Sequence, residues 1–310
     1  MTVVEKTGAH DAGLVARKLT GPGRFGRFLY RHEAWRGYLL LSPALILMAL
    51  AIVVPLFNML SMSLWSMSGY DVNKTPSLAN YTAMAGHPMY TVLIGRSLSV
   101  ATYATLFTIV LCYPMAYFVA FHVHRHKALW LIVMTLPFWT SYLLRVFAWK
   151  VVLGYEGVLN TALMGLGLIE QPLTMLLYSQ TAVTLVLAHS WAAFAILPIY
   201  VSLEKIDKTF LEAAADLGDS PMRRFWRITF PLSLPGVLAA FFMMFIPTVG
   251  DYITPAMVGG PDGMMAGNLI QSLFGGMNNW PAGAALSVVL IVAIAVAGLA
   301  FTALSRLIRR

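Results

Sequence analysis

EAAADLGDSPMRRFWRITFP, residues 212–231, is a charged 20-residue island between long apolar runs. Its first part reads as a short amphipathic helix. Thr209 and Glu212 stand three apart, the capping-box spacing, and Asp207 is a rival cap. Phe210, Ala213, Ala214 and Leu217 follow i, i+3, i+4, i+7 and form one stripe. Gly218 sits where a helix ends in the left-handed conformation. Asp219-Ser220-Pro221 then offers a cap followed by proline at a first helical position, so a second helix should begin there. The expected product is a compact helix–Gly–helix knob, a docking element for a soluble partner.

The surroundings of this knob are those of a membrane protein. Of 310 residues, 59% are hydrophobic and 11% are charged, where soluble domains carry about 25% charged residues. Mean hydropathy is +0.73. The net charge of +8 is therefore read as topology before any nucleic-acid contact. The single cysteine, Cys112, lies inside an apolar run and has no intrachain partner. His122, His124 and His126, beside Arg125 and Lys127, read as a solvated cationic turn rather than a metal set. The N-terminal 36 residues are polar and basic and do not read as a secretory signal. Phe25, Phe28, Leu29, Tyr30 and Trp35 among the arginines allow either an interfacial helix or a flexible tail.

Working outward, the apolar runs give six spans: about 39–62, 97–121, 128–149, 181–203, 233–256 and 283–305. The expected fold is all-α, six transmembrane helices with a cytoplasmic helix–Gly–helix loop at about 204–231, on a permease-sized domain 37–310 behind a tail of residues 1–36. Pro137, Pro235, Pro247, Gly250 and Pro255 should break or kink spans three and five, which is tolerated where backbone lines a cavity. Leu159–Leu168 reads as a short helix at the membrane surface. Seventeen of the twenty-one Lys and Arg residues lie in the tail, the 122–127 turn, the knob and the C-terminus. The positive-inside rule then puts both termini and the knob in the cytoplasm.

No GxxxxGK[ST] stretch is present, so the phosphate cradle of that motif is not built by this chain. The spans carry no carboxylate at mid-depth for an ion-coupled carrier, and His189 alone in span four makes no catalytic set. Charged residues inside spans are rare and functional by default. Arg145 and Asp251 lie roughly 25–27 Å from the cytoplasmic starts of their spans at 1.5 Å per residue. They either pair with each other, or Asp251 attracts a cationic solute at the outer mouth. Glu156, Glu170 and Asp262 in outer loops would extend an acidic entrance. Trp139, Tyr142, Trp191 and Tyr252 offer faces for an ammonium group.

Two sets of residues carry a family resemblance. Glu212-Ala213-Ala214, Gly218, Ile228 and Phe230-Pro231 resemble the EAA loop of ABC-importer permeases (the MetI-like family), with Phe230 where Leu is usual. Leu136-Pro137-Phe138-Trp139-Thr140-Ser141-Tyr142-Leu143-Leu144-Arg145-Val146-Phe147-Ala148-Trp149 resembles the third span of spermidine/putrescine-type permeases. Gly250-Asp251-Tyr252-Ile253-Thr254-Pro255 and Asn279-Trp280-Pro281-Ala282-Gly283 do so too, with Asp251 where Glu is common, and the long N-terminal tail resembles the first of two permease subunits.

The resemblance implies an inner-membrane permease that is not an enzyme and holds no cofactor. ATP and Mg would be bound by a partner ATPase. Glu212, Ala213, Ala214, Leu217 and Gly218 would couple to that ATPase, and Asp251, Tyr252, Trp139, Tyr142, Arg145 and Glu156 would lie on the solute path. The implied partners are a second permease subunit, two ATPase copies, an extracytoplasmic solute-binding protein and lipid, with no nucleic acid. The implied solute is a polyamine; aminophosphonate, iron or another small solute is the alternative.

Overall fold

The computed structural model describes residues 33–308 except positions 70, 175 and 177, and at 33–36 and 306–308 it describes backbone alone. The tail 1–32 and Arg309 and Arg310 lie outside the described residues. The chain divides into two units, Met1–Asn58 and Met59–Arg310.

α1 runs Glu33–Ser63 without a break despite Pro43 and Pro55. A two-stranded antiparallel hairpin follows, β1 Ser66–Ser68 and β2 Asp71–Asn73, with Met67 opposite Val72. Asn80, in α2 (Ala79–Gly86), fixes the corner by donating to the Ser63 and Trp65 carbonyls at 3.2 and 2.7 Å. α3 is Pro88–Phe121, nine residues longer at its start than the hydrophobic run suggests, because His87 caps it and Pro88 opens its first turn. α4 (Lys127–Thr135) passes into a 3₁₀ turn, Leu136–Trp139, and stops. α5 (Tyr142–Leu153) and α6 (Val158–Gly165) follow. α7 is Gln180–Glu204, α8 Lys208–Asp216 and α9 Pro221–Val249. α10 is Ala266–Phe274 and α11 Trp280–Ile308.

Among the described residues five helices, α1, α3, α7, α9 and α11, are long and apolar enough to cross a membrane. The pair Lys127–Trp139 and Tyr142–Gly165, bent by 81°, makes a sixth candidate crossing if it is taken as one broken span. Pro137 lies at that bend and cannot donate an N–H. Span three is therefore not a straight rod, and a depth for Arg145 counted along one does not apply.

The core of the second unit is the packing of α3, α7 and α9. Ala101, Ala116, Ala195, Ala240, Ile199, Leu203, Phe241 and Phe245 are buried there. Small residues let backbones approach, which is how apolar helices gain contact without a hydrophobic drive. Gly236 shows the limit: a methyl built on it would overlap the Pro198 carbonyl oxygen and the Ser202 Cβ. Two polar links cross the same interface, Tyr113 Oη with Ser233 Oγ at 2.8 Å and Thr108 Oγ1 to the Ala188 carbonyl at 3.0 Å. The Phe241 and Phe301 rings stack at 3.6 Å between centroids and tie α9 to α11.

A second boundary differs from the expectation. Span five does not start near residue 233. The second helix of the knob, Pro221–Arg224, continues through a π turn, Phe225–Thr229, into Phe230–Val249. Pro231 lacks an N–H and its ring would crowd the Arg227 carbonyl in a regular α ladder. The widened turn just before it accommodates the proline without ending the helix.

Candidate functional site

The knob is built by local capping. Asp207, not Thr209, caps α8: its Oδ1 accepts from the Thr209 N–H at 2.9 Å, and its carboxyl is held below its ordinary value by that bond. The Thr209–Glu212 box does not form, because Asp207 already occupies the cap position two residues upstream of Thr209. At the other end Gly218 takes φ +85°. The Gly218 N–H bonds the Ala215 carbonyl and the Asp219 N–H bonds the Ala214 carbonyl, both at 2.9 Å, which is the Schellman closure. Ser220 then caps the next helix on the Arg223 N–H at 3.4 Å.

Asp219 is the residue that sequence reasoning missed. Its nearly buried carboxylate accepts from Arg227 at 3.1 Å and Arg223 at 3.5 Å. Arginines four and eight residues on were the available signal. Arg224 reaches the Leu211 carbonyl at 3.4 Å. The knob is thus tied to the start of α9 by charge. Ala214 is buried, while Phe210 is 56% and Leu217 87% exposed. Together with Ala213, Ile228 and Pro231 they line a groove of about 550 Å³, and the Asp219–Arg227 pair forms part of the same wall. Glu212 is exposed beside it.

At the base of the knob Lys127 Nζ bonds both Glu204 carboxylate oxygens, at 2.9 and 3.0 Å, and the Ala120 carbonyl at 3.0 Å. The ends of α3, α4 and α7 meet in that one ammonium, four residues before α8 begins.

The path candidates separate into two groups. Tyr142, Asp251 and Thr254 come together. The Tyr142 hydroxyl bonds the Asp251 carboxylate and lies 2.6 Å from Thr254 Oγ1, while the Ile253 N–H donates to Asp251 at 2.9 Å. The Trp191 ring lies 5.9 Å from that of Tyr142. Arg145 is near but does not pair with Asp251. Its guanidinium donates to the carbonyls of Ser190 at 2.8 Å and of Phe138 and Thr140 at 3.0 Å, and lies 5.1 Å from the Phe138 ring. The break at 140–141 leaves the Phe138 and Thr140 carbonyls without helical donors, and the arginine fork supplies them. Trp139, Tyr252 and Glu156 carry exposed side chains and join no hydrogen-bonded cluster among the described residues.

Asp251 sits on a rigid loop. Asn268, buried, donates to the Tyr252 carbonyl at 2.8 Å and accepts from the Met265 N–H at 3.1 Å. A methyl on Gly267 would stand 2.7 Å from the carbonyl oxygens of Gly250 and Asp251. Arg96 holds the Pro261 and Met264 carbonyls, both at 3.2 Å. Thr254 stands in the Gly250–Pro255 motif, but spacing singles out neither it nor Asn268; only the fold brings Thr254 to the Tyr142 hydroxyl and Asn268 to the Tyr252 carbonyl.

Residues 23–310 match the family model described as the inner membrane component of binding-protein-dependent transport systems. The spermidine/putrescine transport system permease protein PotB of Haemophilus influenzae is 33% identical over 260 residues, 84% of this chain and 90% of that protein. PotB of Escherichia coli K12 is 36% identical over 234 residues, 76% of this chain and 84% of its own. The inner membrane ABC transporter permease protein YdcU of the same organism is 31% identical over 290 residues, covering 89% and 91%. Among solved structures, a chain of a bacterial ABC transporter involved in the import of alginate superposes with a TM-score of 0.69 over 93% of this chain and all of that one, at 16% identity. That likeness is one of fold.

Proposed function

Because this chain belongs to the family of binding-protein-dependent transport system inner membrane components, we propose that it is the permease through which an ABC importer takes up polyamines of the putrescine and spermidine class. The reading is carried by its likeness to two spermidine/putrescine permeases across 76% and 84% of its length. Asp251 supports it as a buried carboxylate on the loop just after α9, two residues beyond the span's last residue Val249, with no cation within ion-pair distance among the described residues. The chain is a transport subunit and not an enzyme.

In this reading a second permease subunit completes the pore. Two copies of a cytoplasmic ATPase carry the ATP and magnesium. One docks on Glu212, Ala213, Ala214, Leu217 and Gly218, where the exposed Leu217 and Phe210 give an apolar seat and Glu212 a charge. A solute-binding protein delivers the polyamine to the outer loops, near Glu156 and the exposed Trp139 and Tyr252. Both termini and the knob face the cytoplasm, following the basic clusters. ATP closure draws the knobs together, and α9, continuous with the knob from Pro221 to Val249, carries that movement into the membrane.

The test is ATP hydrolysis by the reconstituted assembly of both permeases, ATPase and binding protein. Stimulation by putrescine or spermidine is expected. Stimulation by 2-aminoethylphosphonate alone would keep the permease and overturn the polyamine assignment.

A further inference from the structure

Asp251 is 9% exposed and stands in a segment where an uncompensated charge is costly. Its compensation is made of neutral dipoles: the Tyr142 O–H and the Ile253 N–H. The cation closest along the same helix as Tyr142, Arg145, is committed to three carbonyls. Tyr142 has one proton to give. Since it goes to Asp251, Thr254 must donate to the phenol oxygen at 2.6 Å. The result is a chain, Thr254 to Tyr142 to Asp251, that fastens the first residue of α5 to the loop after α9.

The geometry points to a latch: the Tyr142–Asp251 bond holds the bent third span closed against span five, and a primary ammonium opens it by taking the carboxylate. This inference rests on the polyamine reading. The Tyr142–Asp251 bond already has an ionised acceptor; an ammonium displaces the phenol because it brings a full opposite charge to a carboxylate that has none beside it, in a site screened from water. With three donors it reaches Asp251 and the oxygens of Tyr142 and Thr254 together. The rings of Tyr142 and Trp191 supply faces for it. The exchange moves hydrogen bonds only. Tyr142 keeps its proton and loses its acceptor, and α5 is released where it meets the 81° bend. Asp251 does not follow, because Asn268 and Gly267 hold its loop. Solute arrival is thereby converted into movement of one helix relative to another.

The experiment uses the reconstituted assembly with Tyr142→Phe and, because that variant risks poor assembly, Thr254→Val as a second lesion in the same chain. Two quantities are read: hydrolysis without solute, and the putrescine concentration that half-activates. A latch predicts that Tyr142→Phe raises solute-free hydrolysis and lowers the half-activating concentration, by about tenfold for loss of one bond to a charged group. Thr254→Val shifts both in the same direction by less. A variant with low solute-free hydrolysis and weaker activation overturns the latch and makes Tyr142 a plain contact. If putrescine and spermidine fail with the unaltered assembly while Tyr142→Phe still raises solute-free hydrolysis, the Tyr142–Asp251 closure stands, and the polyamine reading falls together with polyamine ammonium as what opens it. If polyamines activate and both variants match the unaltered assembly, the polyamine reading stands and the latch falls.

Discussion

Arg145 is bound to Ser190 and not to Asp251: its Nη1 meets the Ser190 carbonyl at 2.8 Å, across from α5 to α7. Its Nη2 meets the carbonyls of Phe138 and Thr140 at 3.0 Å. One guanidinium therefore closes the broken span three on itself and fastens it to span four. Of the two readings the sequence left open, the mutual ion pair does not form: Arg145 is spent on backbone carbonyls, and Asp251 accepts from Tyr142 and the Ile253 N–H.

Arg145→Met should destabilise the assembly and Arg145→Lys should fall between it and the unaltered protein. The fork geometry serves three acceptors, whereas an ammonium is a point charge on a flexible stem. A fully buried carbonyl left without a donor costs about 1–3 kcal/mol; the Ser190 and Phe138 carbonyls are part-buried and that of Thr140 is exposed, so the loss per bond lies toward the low end. Thermal unfolding of the purified complex in detergent reads this order. Equal stability of the Lys variant would show that the planar fork is not needed.

Gly236→Ala should also destabilise, and Gly236→Leu more so. The added carbon meets backbone, the Pro198 carbonyl, and the Cβ of Ser202. Neither can swing away, so α7 and α9 must separate. Overpacking of this kind costs about 1–3 kcal/mol. The same thermal measurement, paired with uptake by intact cells, checks it. An unchanged melting point would mean that the two helices are free to part.

How much of this was legible in the sequence follows from distance along the chain. Gly218, Ser220 and Pro221 act on neighbours within a turn, so the knob's termination and restart could be read directly. The break at Pro137 was legible because proline removes its own N–H. The cap of α8 was a contest between two local candidates, and Asp207 prevailed by its bond to the Thr209 N–H. Pro231 misled: it read as the boundary of the knob, yet the π turn at Phe225–Thr229 carries the helix past it. The Arg145 partner Ser190, 45 residues away, and the Asp251 partner Tyr142, 109 residues away, depend on how helices cross. Spacing shows that such residues are unusual in a span. It does not show what they touch.

The Asp207 cap carries a pH dependence. Its folded carboxyl titrates below the ordinary 3.8 because the Thr209 N–H favours the ionised form. A depressed acid contributes stability that is present above the unfolded value and is lost as pH falls through the folded one. The first turn of α8 should therefore loosen only below pH 3.8. Asp207→Asn, which retains the accepting oxygen, should abolish that step; Asp207→Ala should loosen the turn at every pH. Hydrogen exchange of the amides in 208–211 between acid and neutral pH reads it.

Gly218 and Glu212 test the knob in complementary ways. Nothing lies within 4 Å of a methyl built on Gly218, so Gly218→Ala meets no steric neighbour and suffers only from φ +85°. That conformation costs an L-residue about 1–2 kcal/mol, and Asn, which tolerates it better, should cost less. Glu212 is exposed, and its side chain makes no hydrogen bond among the described residues. Glu212→Ala should therefore leave the stability of the permease, read from its thermal unfolding, within about 0.5 kcal/mol of the original. If the ATPase seats on this face, the same variant should sharply lower solute-stimulated hydrolysis and co-purification of the ATPase. Gly218→Ala should lower both in proportion to its destabilisation, with Gly218→Asn restoring them in part. Full stimulation in Glu212→Ala would remove the Glu212 charge from the ATPase contact and leave the groove between Phe210 and Leu217 as the surface to probe.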